Sequence, residues 1–477
     1  MVGRWGAGVR RAASTVTATL AAAAVALTAC LGGTGPAGPT PSPAPAPGSG
    51  AATGSGAASS VPESDWVDPT ESTEVATGTP RILLAHQDGL TLLDAETGEM
   101  VKDQDAPGFK RLANAGNGKD VMVVTGHGWA VFNAGIQAKA HGDHVHNYAS
   151  EPGMTGVTFP GDHAGHVVTH HGHTTLFADG TGRIQTFESA HLDKATRDLM
   201  PVMEETTTAP HHGVALELAD GSLLTTQGTE ESRDTVQVVD RASGEVMAET
   251  DDCPGVHGEA ATQPTEAGDV VALGCEDGPV IYRDGAFHKV PAEGYVRNGN
   301  LAGLESSPVV LADRKVEGTK AEGDETERPT AVDLIDAHTG RVTTVELGSS
   351  YWFRSLARAE NGSGVVLTYD GELTVIDEET GEITAEHPVI APWREMDEWQ
   401  EPGPILKVAG HTAYVTDAEN RKLVAVDLET GERVLEEDLE FAPVEMAVVT
   451  GEPESVTPGQ GAGHEGEGHE GHEGHDH

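Results

Sequence analysis

Short runs of apolar, often β-branched residues recur along the chain from residue 81 onward, and each run ends in an acidic turn. The clearest copies are LTVIDEETG at 373–381 and LVAVDLETG at 423–431. Alternating apolar residues favour a strand with one buried face, while Asp and Gly supply a tight turn. The pattern therefore predicts repeated β-hairpins, and no amphipathic helical stretch of useful length competes with it.

The spacing of the repeat indicates the architecture. The turn residues of its copies are Asp94, Asn133, Asp179, Asp240, Asp284, Asp336, Asp377 and Asp427. The seven intervals between the first and the last average about 48 residues, which is typical of four-stranded propeller blades. The sequence predicts an all-β fold, a β-propeller of eight four-stranded blades, with seven blades as the alternative if a degenerate copy is miscounted.

The two ends of the repeat region are complementary. The first copy starts at Arg81 with what looks like the second strand of a blade, so its innermost strand is missing. The segment VEMAVVT at 444–450 follows the last copy and has the character to fill that gap. We expect these terminal strands to pair, because an open ring would expose a free sheet edge. The propeller is predicted to occupy residues 79–450 as a single domain.

The N-terminus has the pattern of an export signal. Three arginines precede an apolar stretch of small residues that ends in LTAC at 27–30, the pattern of a bacterial lipobox. Residues 1–29 are therefore predicted to be a lipoprotein signal peptide, with lipid attached to Cys30. The chain would be anchored to the outer face of the cytoplasmic membrane. Residues 30–78, which begin with a Gly-, Pro-, Ala- and Ser-rich stretch, are predicted to be a flexible linker.

The formal net charge is −48 at pH 7. Such a surface repels nucleic acid and anionic lipid and attracts cations. We expect no nucleic-acid partner, contact with the membrane only through the lipid anchor, and a monomer. A solubilising acidic shell accounts for most of these carboxylates.

Histidines are the candidate chemistry. Eight of them fall between residues 141 and 173, and neutral imidazole is the commonest side-chain ligand for divalent metals of the zinc type. The motifs APHHGVA at 209–215 and PGVHGEA at 254–260 place His212 and His257 at the start of innermost strands, one repeat apart. The loop at 141–148 connects the second copy to the third and is expected to open on the same face.

These positions predict a metal site at one mouth of the propeller channel. The predicted ligands are His144, His146, His212 and His257, with His141, His171, His211 and Glu259 as further candidates. His144 and His146 would need a turn to share one metal, or only one of them binds. The alternative for each histidine singly is a hydrogen-bonded structural role at a strand end.

Cys253 and Cys275 remain as an even pair once Cys30 carries lipid, so an oxidising compartment predicts a disulfide between them. A metal site on the two cysteines is the alternative, although their spacing fits no CxxC-type zinc motif.

The C-terminal residues 451–477 are predicted to be a disordered tail, too rich in His, Glu and Gly to pack. Its histidines could hold divalent metal loosely and exchange it quickly, or have no role. They are His464, His469, His472, His475 and His477.

Four of the segments that contain histidines are GDHVHNY at 142–148, VTHHGHTTLFADGTG at 168–182, APHHGVALEL at 209–218 and CPGVHGEA at 253–260. Together they resemble the AztD-type zinc metallochaperones. The resemblance implies a β-propeller that binds zinc, catalyses nothing, and delivers zinc to the solute-binding protein of a zinc ABC importer. In that family the flexible His-rich segment lies on the N-terminal side, whereas here the C-terminal tail would take its role.

The choice of zinc rests on this resemblance, because imidazole sites accept several metals and affinity order alone favours copper. Two other functions compete. One is a metal-dependent propeller enzyme of lactonase or oxidoreductase type, with Glu259 as general base. The other is a metal-free propeller that binds proteins. The sequence contains no nucleophile elbow, phosphate loop or cofactor motif.

Overall fold

The computed structural model describes residues 62–141, 144–194, 200–317 and 326–453. In chain order, the strands of these residues are β1 (Ser72–Val75), β2 (Arg81–Ala85), β3 (Gly89–Asp94), β4 (Met100–Asp105), β5 (Arg111–Asn114), β6 (Asp120–Thr125), β7 (Gly128–Asn133), β8 (Ile136–His141), β9 (His144–Ser150), β10 (Gly153–Pro160), β11 (Ala164–His170), β12 (His173–Ala178), β13 (Arg183–Glu188), β14 (Met203–Thr206), β15 (Ala215–Glu217), β16 (Leu223–Gln227), β17 (Thr235–Val239), β18 (Val246–Thr250), β19 (Glu259–Thr265), β20 (Gly268–Leu273), β21 (Val280–Arg283), β22 (Ala286–Lys289), β23 (Val296–Arg297), β24 (Leu301–Ala302), β25 (Val309–Asp313), β26 (Lys315–Val316), β27 (Ala331–Asp336), β28 (Arg341–Glu346), β29 (Leu356–Arg358), β30 (Gly364–Leu367), β31 (Glu372–Ile376), β32 (Ile383–Pro388), β33 (Leu406–Ala409), β34 (Thr412–Asp417), β35 (Lys422–Asp427), β36 (Arg433–Asp438) and β37 (Glu445–Val449). Short 3-10 helices at Glu63–Asp65 and Ser189–Lys194 are the helical segments of this part of the chain, and neither has the length and apolar character needed to cross a membrane.

The strands form four-stranded antiparallel sheets, one for each copy of the sequence repeat. Numbered along the chain and written from the inner strand outward, they are sheet 1 (β37-β2-β3-β4), sheet 2 (β5-β6-β7-β10), sheet 3 (β11-β12-β13-β14), sheet 4 (β15-β16-β17-β18), sheet 5 (β19-β20-β21-β22), sheet 6 (β24-β25-β27-β28), sheet 7 (β29-β30-β31-β32) and sheet 8 (β33-β34-β35-β36). Two smaller sheets accompany them, β1-β9-β8 and β23-β26. This architecture confirms the predicted all-β propeller.

The acidic turns join the third and fourth strands of a sheet, except in sheet 3, where the turn at Asp179 joins the second and third strands, β12 and β13. In sheet 1, Asp94 Oδ1 accepts hydrogen bonds from the backbone amides of Glu96 and Thr97 at 3.1 and 3.0 Å. Gly98 then takes a φ of +74°, which other residues adopt only with strain. An aspartate in the same position caps the turn through Oδ1 in four further copies, at Asp240, Asp336, Asp377 and Asp427. The sequence motif therefore encodes this hairpin directly.

Most strands in the middle of a sheet are buried on both faces, although β17 is buried on one face and only partly buried on the other. In β2, Ile82 and Leu84 pack in the core shared with sheet 8, whereas Leu83 and Ala85 pack in the core shared with sheet 2. Alternate side chains point to opposite faces of a strand, so one run serves two interfaces. Every pair of neighbouring sheets shares such a core.

The ring closes between the ends of the repeat region, as predicted. Strand β37 pairs antiparallel with β2 along five residues, from Arg81 opposite Val449 to Ala85 opposite Glu445. It becomes the inner strand of sheet 1 and contacts the inner strands β5 and β33 of the sheets on either side. The chain ends of the propeller are thereby held in one sheet.

The folded region begins earlier than residue 79, so the predicted linker 30–78 extends too far. Strand β1 pairs with β9, and the amide of Val67 donates to the carbonyl of Met154 at 2.9 Å. The Trp66 side chain packs against the core between sheets 1 and 2. The Gly-, Pro-, Ala- and Ser-rich composition at the start of residues 30–78 predicts a linker, but residues near the end of this range pair with strand β9. The predicted signal peptide, Cys30 and the tail histidines lie outside the described residues.

Candidate metal centres

Three histidines from consecutive sheets meet at one end of the central channel. His166 lies on the inner strand β11, while His212 and His257 lie just before the inner strands β15 and β19. All three side chains are half-buried, and one ring nitrogen of each lies within 4.8 Å of one from each of the others. Their ring centroids are 4.9 to 5.8 Å apart. We call this group the channel triad. Three imidazoles plus one open position suit a tetrahedral zinc ion.

In two of the three rings, the Nδ1 atom is hydrogen-bonded to an oxygen atom. His212 Nδ1 lies 2.6 Å from Asp179 Oδ2, and His257 Nδ1 lies 2.5 Å from the carbonyl oxygen of Gly299. A ring that donates its Nδ1 proton to an oxygen keeps its lone pair on Nε2. Both rings are therefore oriented and have the correct tautomer to bind a metal through Nε2.

Glu259 contacts the third ring. Its Oε2 lies 3.3 Å from His166 Nδ1. Glu259 was predicted as a further ligand beside His257, but its carboxylate instead lies beside His166. Burial opposes a charge on His166, yet the negative charges of Glu259 and Asp179 leave its pKa raised above the usual value.

His257 is more readily deprotonated than His166. Burial, followed by the neighbouring charges of His166 and His212, lowers the pKa of His257 well below its usual value. A neutral imidazole has the lone pair that a metal requires, so this ring is ready to bind without losing a proton.

A second group of histidines lies on the small sheet β1-β9-β8. His144 Nε2 and His146 Nε2 are 3.0 Å apart, and His141 Nδ1 lies 3.4 Å from His146 Nε2. Ligands of a tetrahedral zinc ion are about 3.3 Å apart when the zinc–nitrogen distance is about 2.0 Å. His146 Nδ1 lies 2.6 Å from Glu74 Oε1 on β1, and the side chains of His141 and His144 are exposed. We call this group the hairpin cluster.

The structure thus separates the four predicted ligands into two groups. The β8–β9 hairpin is an insertion between the third strand of sheet 2, β7, and its outer strand, β10. It does not connect one sheet to the next, so His144 and His146 do not reach the channel mouth where His212 and His257 lie. No turn is needed between His144 and His146, because residues two apart on a strand share a face.

The comparisons with known proteins agree with this fold. No family model matches the chain. The chain is 24% identical over 388 residues to the zinc chaperone AztD of Citrobacter koseri, covering 78% of this chain and 86% of that protein. The chain is similar to AztD. Two structures of C. koseri AztD, one described as apo, match it with TM-scores of 0.67 and 0.66 at 22% identity, covering 78% of this chain and 98% of theirs. The resemblance expected from the sequence is confirmed.

One histidine of the AztD-like segments has a structural role. His211 is 1% exposed, its Nδ1 lies 3.0 Å from the carbonyl of Ala209, and its Nε2 lies 2.9 Å from Thr226 Oγ1. With both nitrogens engaged, it has no lone pair directed at the triad. The prediction of His211 as a further ligand is therefore not supported by its position.

His171, another further candidate, belongs to a third group. It lies in the turn after β11 at the other end of the channel, with its Nε2 2.8 Å from Asp269 Oδ1. His170, His171 and Asp269 each offer a ligand atom within 4.8 Å of the others. Part of the AztD-like segment at 168–182 therefore lies in a third group of potential metal ligands.

His166 is the triad member that sequence reasoning missed. It precedes His212 by 46 residues, and His212 precedes His257 by 45, so the three share one repeat register. The signal was present in the spacing. It was masked by the density of histidines between 141 and 173, which drew attention to the hairpin.

The predicted disulfide is present. Cys253 and Cys275 are bonded, and both are buried between sheets 4 and 5. The bond fixes the segment that leads into His257 against the end of β20. The alternative of a metal site on these two cysteines is thereby excluded.

Replacing both Cys253 and Cys275 with Ala is expected to lower the free energy of unfolding by about 3 kcal/mol, the loop-closure value for a cross-link of this span. The two cysteines are 22 residues apart in sequence. Urea denaturation of the oxidised wild type and the double variant measures the difference. A thiol reductant should destabilise the wild type to the same extent and leave the variant unchanged; equal stabilities before reduction would contradict the prediction.

Proposed function

We propose that this protein is a zinc metallochaperone, which captures zinc outside the cytoplasmic membrane and passes it to the solute-binding protein of a zinc ABC importer. The observation that carries the proposal is the channel triad, in which three imidazoles from different sheets converge and two of them are already oriented by Asp179 and Gly299. Zinc is favoured over other divalent metals by the similarity to AztD, which is described as a zinc chaperone. The lipid on Cys30 would keep the protein at the membrane surface.

The two histidine groups suit different steps. The channel triad is half-buried, and the Nδ1 atoms of His212 and His257 are hydrogen-bonded to oxygen atoms, which favours tight metal binding through their Nε2 atoms. The hairpin cluster is exposed, so a partner protein can approach a metal held there. We assign retention to the triad and exchange to the hairpin cluster, with the C-terminal histidines as a further loose site for capture.

A chaperone needs a site that binds and releases, whereas an enzyme also needs a base placed to act on substrate. The base suggested by the sequence is Glu259. Its carboxylate lies against His166 Nδ1, where it orients a ligand. This placement favours a binding protein over a metal-dependent enzyme.

The function is tested by transfer of zinc. Replacing His144 and His146 together with Ala is expected to slow transfer to a purified zinc-importer solute-binding protein by at least about 10-fold, because losing ligands costs at least as much as the 10- to 100-fold typical of their supporting contacts. Affinity of the triad should change less than about threefold, because the two groups share no residue. Stopped-flow mixing with a chromophoric zinc chelator as a parallel acceptor measures the rate.

The matched control for this double variant is His163→Ala, which removes an exposed histidine from the same stretch and outside either group. It should transfer at the wild-type rate. If the double variant also transfers at that rate, the hairpin cluster has no part in exchange. If the wild type binds no zinc more tightly than about micromolar, the chaperone proposal itself fails.

A further inference from the structure

The inner strand β11 carries one histidine toward each end of the central channel. His166 and His170 are four residues apart, which separates them by about 13 Å along the strand. A cavity of about 570 Å³ runs between the inner strands, lined by residues of β5, β11, β19, β33 and β37. Glu259 lines this cavity and also borders the channel triad. The far end of the same channel therefore holds a second set of ionisable groups.

That set comes from three sheets. His170 is the last residue of β11 and His171 lies in the turn that follows. Asp269 lies on β20 of sheet 5, and Glu305 lies between β24 and β25 of sheet 6. His170 Nδ1 is 2.6 Å from Glu305 Oε1, and Asp269 Oδ1 is 2.8 Å from His171 Nε2 and 3.5 Å from His170 Nε2. The last two separations bracket the spacing of about 3.3 Å expected between ligands of a tetrahedral zinc ion.

One nitrogen at this end is buried without a well-formed hydrogen bond. The side chain of His170 is 4% exposed, and its Nε2 has only the long 3.5 Å contact with Asp269 Oδ1 and no well-formed hydrogen bond among the described residues. The nitrogen faces Asp269, and burying a polar atom in this state is costly unless something else satisfies it. Glu305 Oε2 is buried and unpartnered in the same way within the described part of the chain.

The arrangement repeats the geometry of the other two groups. A carboxylate oxygen lies 2.6 Å from Nδ1 of His170, as it does from Nδ1 of His212 and of His146. Such a contact fixes the tautomer that leaves Nε2 for a metal. In addition, His171 has a φ of +46°, an uncommon conformation for a histidine, and this brings its ring beside Asp269.

We propose that the far end of the channel is a further binding site for a divalent transition-metal ion, with His170, His171 and Asp269 as ligands and Glu305 as the residue that positions His170. Two imidazoles and a carboxylate are a harder donor set than the three imidazoles of the triad, and suit zinc and its first-row neighbours. The site shares no ligand with the triad or the hairpin cluster. It therefore stands or falls independently of the proposed chaperone function.

The test is to count zinc in the full chain with and without this site. His171→Asn is the main variant, because Asn tolerates the left-handed backbone conformation of this position. Its matched control is His163→Asn, since His163 has a similar φ of +50° and belongs to none of the three groups. Equilibrium dialysis against zinc alone, followed by elemental analysis, is expected to give one equivalent fewer for His171→Asn than for the control.

A second variant guards against a folding defect. Asp269→Asn removes the charge but keeps an oxygen for the amide of Ala219, which donates to Asp269 Oδ2 at 2.7 Å. It should also lose one equivalent, with the unfolding midpoint of the zinc-free protein close to that of the control. The proposal is overturned if both variants bind as much zinc as the control, which would leave the group a structural ion-pair cluster. The variant His212→Ala should lose the zinc of the channel triad but keep the equivalent bound at the far end of the channel. It therefore tests the proposed chaperone function separately.

Discussion

Replacing His212 with Ala is expected to weaken the tightest zinc site by more than about 100-fold, because a ligand lost directly costs more than the 10- to 100-fold typical of its supporting contacts. The remaining rings, His166 and His257, come from sheets 3 and 5, and no neighbouring histidine of sheet 4 can replace His212, because His211 is hydrogen-bonded through both nitrogens. Competition with a chelator of known zinc affinity measures the change. Asp179→Asn should fall within the 10- to 100-fold range, since it removes only the carboxylate that orients the ring.

The matched control is His191→Ala. His191 has a side chain about as exposed as that of His212, 29% against 33%, and it also pairs with a carboxylate, that of Glu188. It lies in none of the described groups of potential ligands, so zinc affinity should stay at the wild-type value. Equal affinities for His212→Ala and His191→Ala would show that the channel triad is not the tight site.

Ending the chain after Pro443 is expected to abolish cooperative folding of the propeller, because this removes β37 and leaves the ring open. Met446, Ala447, Val448 and Val449 of that strand are 0 to 7% exposed, and shortening a single buried Met or Leu to Ala already costs about 2 to 5 kcal/mol. Losing the whole strand therefore removes a stabilising free energy comparable with the entire free energy of unfolding of a domain, about 5 to 15 kcal/mol. Thermal unfolding followed by circular dichroism should show no sharp transition.

A chain that ends after Pro453 is the control for this truncation. It lacks the C-terminal histidines but keeps β37 and its pairing with β2. Its unfolding midpoint should equal that of the full chain. A cooperative transition in the shorter chain at an unchanged temperature would mean that closure by β37 contributes little to the fold.

The sequence alone determined the architecture of this protein. The alternating runs, the acidic turns and their spacing are local signals, and each sheet is built from a hairpin that such signals specify. Closure by residues 444–450 followed from the missing inner strand of the first copy. The disulfide could be predicted because only Cys253 and Cys275 remain once Cys30 carries lipid, and two cysteines can pair in only one way.

Only the tertiary structure decided which histidines meet. The hairpin that carries His144 and His146 could follow the second repeat as a connection or interrupt it as an insertion, and the two have similar local patterns. The choice depends on β10 completing sheet 2 and on β1 pairing with β9, which are long-range pairings that a local pattern does not encode. For the same reason His166, and not His211, belongs to the channel triad. Thr226 is hydrogen-bonded to the ring of His211, whereas the ring of His166 lies in the channel, and both contacts depend on how whole sheets pack.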